Sequence, residues 1–139
     1  MEKVLIIGGG QASFSCASKL RTSGFEGEVI IVCEEEILPY QRPPLSKKYL
    51  VNRFDKNRLL LRSDEYYKKN NIEVLVSTRV VEIRRNDKEV VFQNGEVKSY
   101  TNLVLSTGSN AIKIFVEQSR ASQNIFYLRK LRDADRLKS

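Results

Sequence analysis

The residues best placed to do chemistry lie at the start of the chain. Gly8-Gly9-Gly10-Gln11-Ala12-Ser13 has the G-x-G-x-x-G/A spacing, with serine in its third position. Gly8 allows a tight turn. Gly10 lets a pyrophosphate come up against the backbone, where the unpaired N–H groups of a helix N-terminus, at Gln11 and Ala12, favour an anion. Ser13 is small enough to keep that helix close to the preceding strand. Alone, such a spacing is a weak signal, and a glycine turn without a ligand is the plain alternative. Glu34, 21 residues beyond Ser13, adds the acid that takes ribose hydroxyls at about that interval. In the run Glu34-Glu35-Glu36 it stands nearest the end of the second predicted strand, and the other two read as a solvated loop face.

A second group is Arg42-Pro43-Pro44-Leu45-Ser46-Lys47, where prolines restrict the backbone and present two cations with little freedom to lose. By itself it reads as a surface loop with solvated charges. Other chemistries are excluded by composition. The chain has no histidine, which removes Ser-His-Asp hydrolysis, Cys-His proteolysis and imidazole-ligated zinc together. Cys16 and Cys33 have no C-x-x-C spacing, so neither a metal site nor a local redox pair is signalled, and both read as small packed residues. A reducing cytoplasm is the expected compartment.

The elements that must hold these groups follow from patterning. Lys3–Ile7 (KVLII) is an unbroken apolar run of the buried-strand type, ended by glycine. Residues 11–22 form a helix with Ala12, Cys16 and Leu20 on one face and Ala17 beside them, stopped by Gly24. Glu28–Cys33 (EVIIVC) is a second buried strand, which completes a βαβ unit. The prolines fix LPYQRPPLSK as an extended stretch, neither helix nor central strand. Residues 45–50 and 63–70 are expected as short helices, the second capped by Ser63 with Asp64 and Glu65 in its first turn. Ile72–Val76 is a strand. RVVEIR, EVVFQ and EVKSY between Arg79 and Tyr100 form a three-stranded meander, with Asn94-Gly95 as a strong hairpin turn. NLVLS at 102–106 is a further buried strand closed by Thr107-Gly108, residues 109–124 are polar and mixed, and a helix opens at Asp133.

The 139 residues suit one domain with a packed core, 41% of them hydrophobic. Twenty-four Lys and Arg against 17 Asp and Glu leave a formal charge of +7. The basic residues are spread and mixed with acids, so a cofactor phosphate or an acidic protein explains them as well as nucleic acid, which is not expected as a partner. No apolar run reaches the roughly 20 residues of a membrane helix.

The string LPYQRPPLSKKYL, following GGGQAS and a βαβ unit, closely resembles the N-terminal part of the putidaredoxin and rubredoxin reductase group of FAD-dependent ferredoxin reductases. RTSGFEGEVIIV, LVLSTGS and FYLRKLRDADRLK extend the likeness over nearly the whole chain. The resemblance implies an α/β, Rossmann-like FAD/NAD(P)-binding fold, a parallel sheet with a three-stranded meander, present here incompletely. It implies FAD contacts from Gly8, Gly10 and Ala12 at the pyrophosphate, Glu34 at the ribose, and Arg42 and Lys47 beside the cofactor. Lys47 would stand at the flavin ring, as the residue closest to catalysis. Val80 matches an adenine-side backbone contact, Thr107 and Gly108 the turn passing close to FAD, and Arg129 a further contact.

Two departures stand out. Ser106 occupies a position where the family usually has alanine, and Asn110-Ala111 replaces the common Arg-Pro. The family's second glycine fingerprint, for NAD(P)H, its later Gly-Asp segment and its C-terminal interface domain all lie beyond Ser139, so the chain resembles the first third of the enzyme. Residues 1–110 are then the first part of the FAD-binding domain and 111–139 a segment leading toward an NAD(P)-binding domain. The implied parent activity is oxidation of NAD(P)H by FAD with electron delivery to a ferredoxin or rubredoxin. A nucleotide-binding module without turnover, an inactive fragment, a flavin NADH oxidase and a nitrite-reductase-like flavin component remain alternatives. A sheet lacking later strands is expected to expose an edge and self-associate.

Overall fold

Strands that read as continuous apolar runs must be covered on both faces, and β1 (Lys3–Ile7) and β2 (Glu28–Val32) are. The computed structural model describes residues 2–114 and 125–138. Between the two strands runs α1 (Gln11–Thr22), and α2 (Asp64–Lys69) precedes β3 (Ile72–Leu75). Next come β4 (Val80–Arg84), β5 (Glu89–Phe92), β6 (Val97–Ser99) and β7 (Asn102–Leu105), and later α3 (Leu131–Lys138). β3-β2-β1-β7 form a parallel sheet and β4-β5-β6 an antiparallel one. The expected α/β architecture with a three-stranded meander is therefore present.

The chain divides into two compact units, one comprising the residues up to Tyr40 with Leu60–Gly108, the other Gln41–Leu59 with the residues from Ser109 onward. In the first unit, the period-two alternation of strand side chains sorts the core into two layers. Val4, Ile6, Val29 and Ile31 pack with Ala17 and Tyr67 on the helical side. Leu5, Ile7, Ile30 and Val32 pack with Val90 and Phe92 of the meander on the other. The Asn94-Gly95 turn forms as expected, Gly95 in the left-handed region at φ 86 and its N–H donating to the Phe92 carbonyl at 2.9 Å. The guanidinium of Arg21, in the last turn of α1, donates to the carbonyls of Phe25, Gly27, Asn70 and Asn71, which ties two loops to that helix end. β7 is an edge strand, with Leu105 63% exposed.

Five local expectations need correction. Pro43–Ser46 is a 3₁₀ helix and not an extended stretch, because proline's fixed φ is already suited to the first helical positions, where its missing N–H costs nothing. The helix expected at 45–50 reduces to that turn and the loops after it. Ser63 holds the N-cap position of α2, yet its side chain makes no capping bond. On α1 the buried positions are Ser13 and Ala17, with Cys16 and Leu20 half-buried beside them, and Ala12 is exposed. The C-terminal helix starts at Leu131, slightly earlier than expected. Of the polar segment 109–124, residues 115–124 lie outside the described residues, as does Ser139.

Candidate functional site

β1 ends in a turn that only glycine can make. Gly8 has φ 137, and a Cβ there would stand 2.1 Å from the Ser106 carbonyl oxygen at the end of β7. The Gly8 N–H donates to the Val32 carbonyl at 2.9 Å, which joins the turn to the end of β2. Gly10 differs in kind. It is the N-cap of α1, its backbone is extended at φ −114, and a Cβ would meet nothing within 4 Å. No side chain caps this helix and no acid lies in its first turn. The first N–H groups of a helix have no intrahelical acceptor, and aligned peptide dipoles add partial positive charge there. A bare, uncapped helix start with open space above its glycine is thus suited to an anionic group that approaches the backbone closely. Gln11 and Ala12 are exposed at this start, whereas Ser13 is fully buried.

The side-chain candidates of this unit stand at the C-terminal ends of the parallel strands or just beyond them. Glu34, exposed, follows β2 and pairs with Arg79 at 2.7 Å. Glu35, expected as a solvated residue, instead accepts a 2.7 Å hydrogen bond from the Tyr40 hydroxyl. Val80 opens β4 opposite Phe92, next to a bulge before Glu82. Thr107 and Gly108 are exposed after β7, with Gly108 at φ 70. Cys33 is buried, and burial followed by the nearby Glu35 charge pushes its thiol up to about 12, so it stays protonated and unreactive. Both cysteines are free thiols.

The remaining expected contacts share the second unit. Arg42 donates from Nη1 to the Arg129 carbonyl at 3.1 Å, so two residues 87 positions apart are brought together. The Arg129 Nε in turn donates to the Ser109 carbonyl at 3.1 Å. Asp133 accepts the N–H groups of Arg129 and Lys130 at 3.0 and 2.7 Å, which fixes the chain as it enters α3. Lys47 is exposed just after the 3₁₀ turn, its Nζ 3.2 Å from Ser46 Oγ. That turn is anchored through Tyr49, whose hydroxyl donates to Asp135 at 2.5 Å and whose ring faces the Lys138 ammonium at 3.4 Å. Burial and the bond to Asp135 push the Tyr49 phenol up to about 12. A recess of about 800 Å³ in this unit is lined by Lys113, Arg129, Lys130, Arg132 and Arg136, with Asp133 as the one acid among the described residues that line it.

Three partners carry no signal in the linear pattern: Arg79 for Glu34, Ser106 for Ser13, and Asp135 for Tyr49. Each pair is more than forty residues apart in sequence, and nothing in the spacing of either member announces it.

Known proteins resemble this chain over nearly its whole length. The rubredoxin-NAD(+) reductase of Pseudomonas putida is 35% identical over 135 residues, covering 97% of this chain and 35% of that protein. The putidaredoxin reductase of the same organism is 35% identical over 136 residues, 96% of this chain and 32% of that one. Among solved structures, the covalent putidaredoxin reductase–putidaredoxin complex superposes with a TM-score of 0.90 at 35% identity, over 99% of this chain and 33% of that chain. NADH:rubredoxin oxidoreductase from Clostridium acetobutylicum gives 0.85 at 31% identity, over 98% and 34%. The chain spans about a third of the length of the curated relatives it matches. Residues 2–139 match the family model described as pyridine nucleotide-disulphide oxidoreductase, and the chain belongs to that family.

Proposed function

We propose that this chain is the FAD-binding portion of an NAD(P)H-dependent ferredoxin or rubredoxin reductase. The observation that carries the reading is the open ledge at Gly10: an uncapped helix start, free of acids, directly after a buried parallel strand. FAD, when bound, supplies hydride acceptance from the nicotinamide and single-electron delivery to an iron–sulfur carrier. The chain's own residues bind and orient. Gly8 and Gly10 shape the turn, the backbone of Gln11 and Ala12 offers N–H groups to the pyrophosphate, and the buried Ser13 holds the first turn of α1 against Ser106. Glu34 accepts from the adenosine ribose, with Arg79 holding its carboxylate. Val80 meets the adenine side through its backbone, and Thr107 and Gly108 line the turn that follows β7. Arg42, Lys47 and Arg129 add positive charge, with Lys47 at the ring.

The same reading places residues 1–110 in the FAD domain and 111–139 in the segment leading toward the nicotinamide domain. It takes an acidic ferredoxin or rubredoxin as partner, in keeping with the formal charge of +7. No helix among the described residues is long and apolar enough to cross a membrane. The compartment proposed is the cytoplasm, and the exposed edge of β7 is the proposed route of any self-association.

The test is a visible absorption spectrum of the purified protein after addition of FAD and removal of unbound flavin, followed by release and quantification. A two-band flavin spectrum at about one equivalent supports the reading. Binding of ADP with no retention of flavin would replace it with a nucleotide-binding module. Binding of neither would remove it.

A further inference from the structure

Ser13 and Ser106 are serines at two positions where a smaller aliphatic residue would serve packing, and the fold brings their hydroxyls together at 2.9 Å. Ser106 Oγ also lies 3.2 Å from the Ile7 carbonyl, which accepts the Ser106 N–H at 2.9 Å as well. A hydroxyl has one proton to donate. With that of Ser106 given to Ile7, Ser13 donates to Ser106, and the bonds run in one direction from α1 through the end of β7 to the end of β1. Ser13 is 0% exposed, so solvent does not substitute for its partner. Gly8 is wedged against the same pair: a Cβ there would approach Ser13 Oγ to 3.1 Å and the Ser106 carbonyl to 2.1 Å. Three segments that end at ligand-facing positions therefore meet at this pair. They are the glycine turn, the first turn of α1, and the strand leading into Thr107-Gly108.

We infer that Ser13 and Ser106 are a positioning pair that sets the distance between the first turn of α1 and the turn after β7, and through it the affinity of the site for a diphosphate-bearing ligand. The inference rests on the nucleotide-binding reading above. The two hydroxyls act through the backbone N–H groups of α1 and through Thr107, and the linkage makes their removal asymmetric. Ser106→Ala leaves the Ser13 hydroxyl buried without its side-chain partner, and the first turn must shift to satisfy it. Ser13→Ala leaves Ser106 with the Ile7 carbonyl. The double substitution removes both polar groups, and an apolar contact takes their place.

The experiment is calorimetric titration of the intact protein with ADP and, separately, with FAD. It is done well below the thermal midpoint of every variant, so that a purely stabilising role would leave Kd unmoved. Ser106→Ala is expected to weaken ADP binding about tenfold, Ser13→Ala by about threefold or less, and the double variant to recover to within about threefold of the parent. Equal Kd in all four proteins would overturn the inference, as would losses that simply add in the double variant. If Ser106→Ala does not fold, the inference still requires the double variant to bind more tightly than that loss allows, and a double variant that also fails to fold overturns it. A parent protein that binds neither ADP nor FAD removes the nucleotide-binding reading and this inference together. A parent that binds, with an unaltered Ser106→Ala, removes the inference alone.

Discussion

The two compact units hold their candidate ligand groups in opposite ways. In the first, the groups are backbone atoms of the glycine turn together with the Glu34 carboxylate, at the ends of strands covered on both faces, so their positions follow from the packing of Leu5, Ile6, Ile30 and Ile31, each at most 1% exposed. In the second they are long cationic side chains on turns, held by polar bonds to α3 and to the chain entering it. A backbone site tolerates many side chains around it but no added Cβ where the chain is in contact. A side-chain site tolerates backbone variation but depends on a few hydrogen bonds to half-buried groups.

The glycine turn itself separates the two behaviours most strongly. Gly8→Ala must place a Cβ on the Ser106 carbonyl at a positive φ, and a loss of about 3 kcal/mol or more in urea unfolding is expected. Gly10→Ala meets no atom, so its unfolding free energy should stay within about 1 kcal/mol of the parent while ADP affinity falls at least about tenfold. Two glycines that responded alike would erase the distinction between folding and binding roles. In the second unit, Asp135→Ala leaves the Tyr49 hydroxyl, on a residue 3% exposed, without its acceptor, and should cost about 1–3 kcal/mol. Asp135→Asn keeps an acceptor and should recover most of it.

Alkaline titration compares the units at smaller scale. Cys33 in the first and Tyr49 in the second each hold their proton more tightly folded than unfolded, from 9.0 to about 12 and from 10.0 to about 12. The unfolded chain therefore releases protons first, and stability present below pH 9 falls as pH rises from 9 toward 12. Cys33→Ala should remove the onset near pH 9, and Tyr49→Phe should weaken the loss above pH 10, where the Tyr67 phenol, likewise raised by burial, still contributes, in urea midpoints measured across that range. The smallest effect is expected at Arg79→Ala. Its ion pair with Glu34 has both side chains about half exposed, so stability should change by less than about 1 kcal/mol, and titration with ADP reads the combined effect of losing the Arg79 cation and its bond to Glu34.

Much of the first unit was legible because its signals are local. Unbroken apolar runs meant buried parallel strands, Asn94-Gly95 meant a hairpin, and glycine after a strand meant a turn into a helix. The structure departs from local patterning where two local rules compete. Proline forbids helix interiors but suits helix starts, and at Pro43-Pro44 the second rule prevailed. The face of α1 was misjudged by one residue, because small residues at 12, 13, 16 and 17 fit more than one stripe, and packing against the strands selected Ser13 and Ala17.

Short-range patterning sets the class of fold and the place of the glycine turn and singles out candidate groups for an anion, since each depends on local periodicity and on the conformations glycine permits. The partners of those groups are set by long-range packing. Ser13 with Ser106, Glu34 with Arg79 and Tyr49 with Asp135 are joined by closure of strands and turns far apart in the chain. A hydrogen bond needs its atoms within about 3 Å, a condition that long-range packing alone can meet.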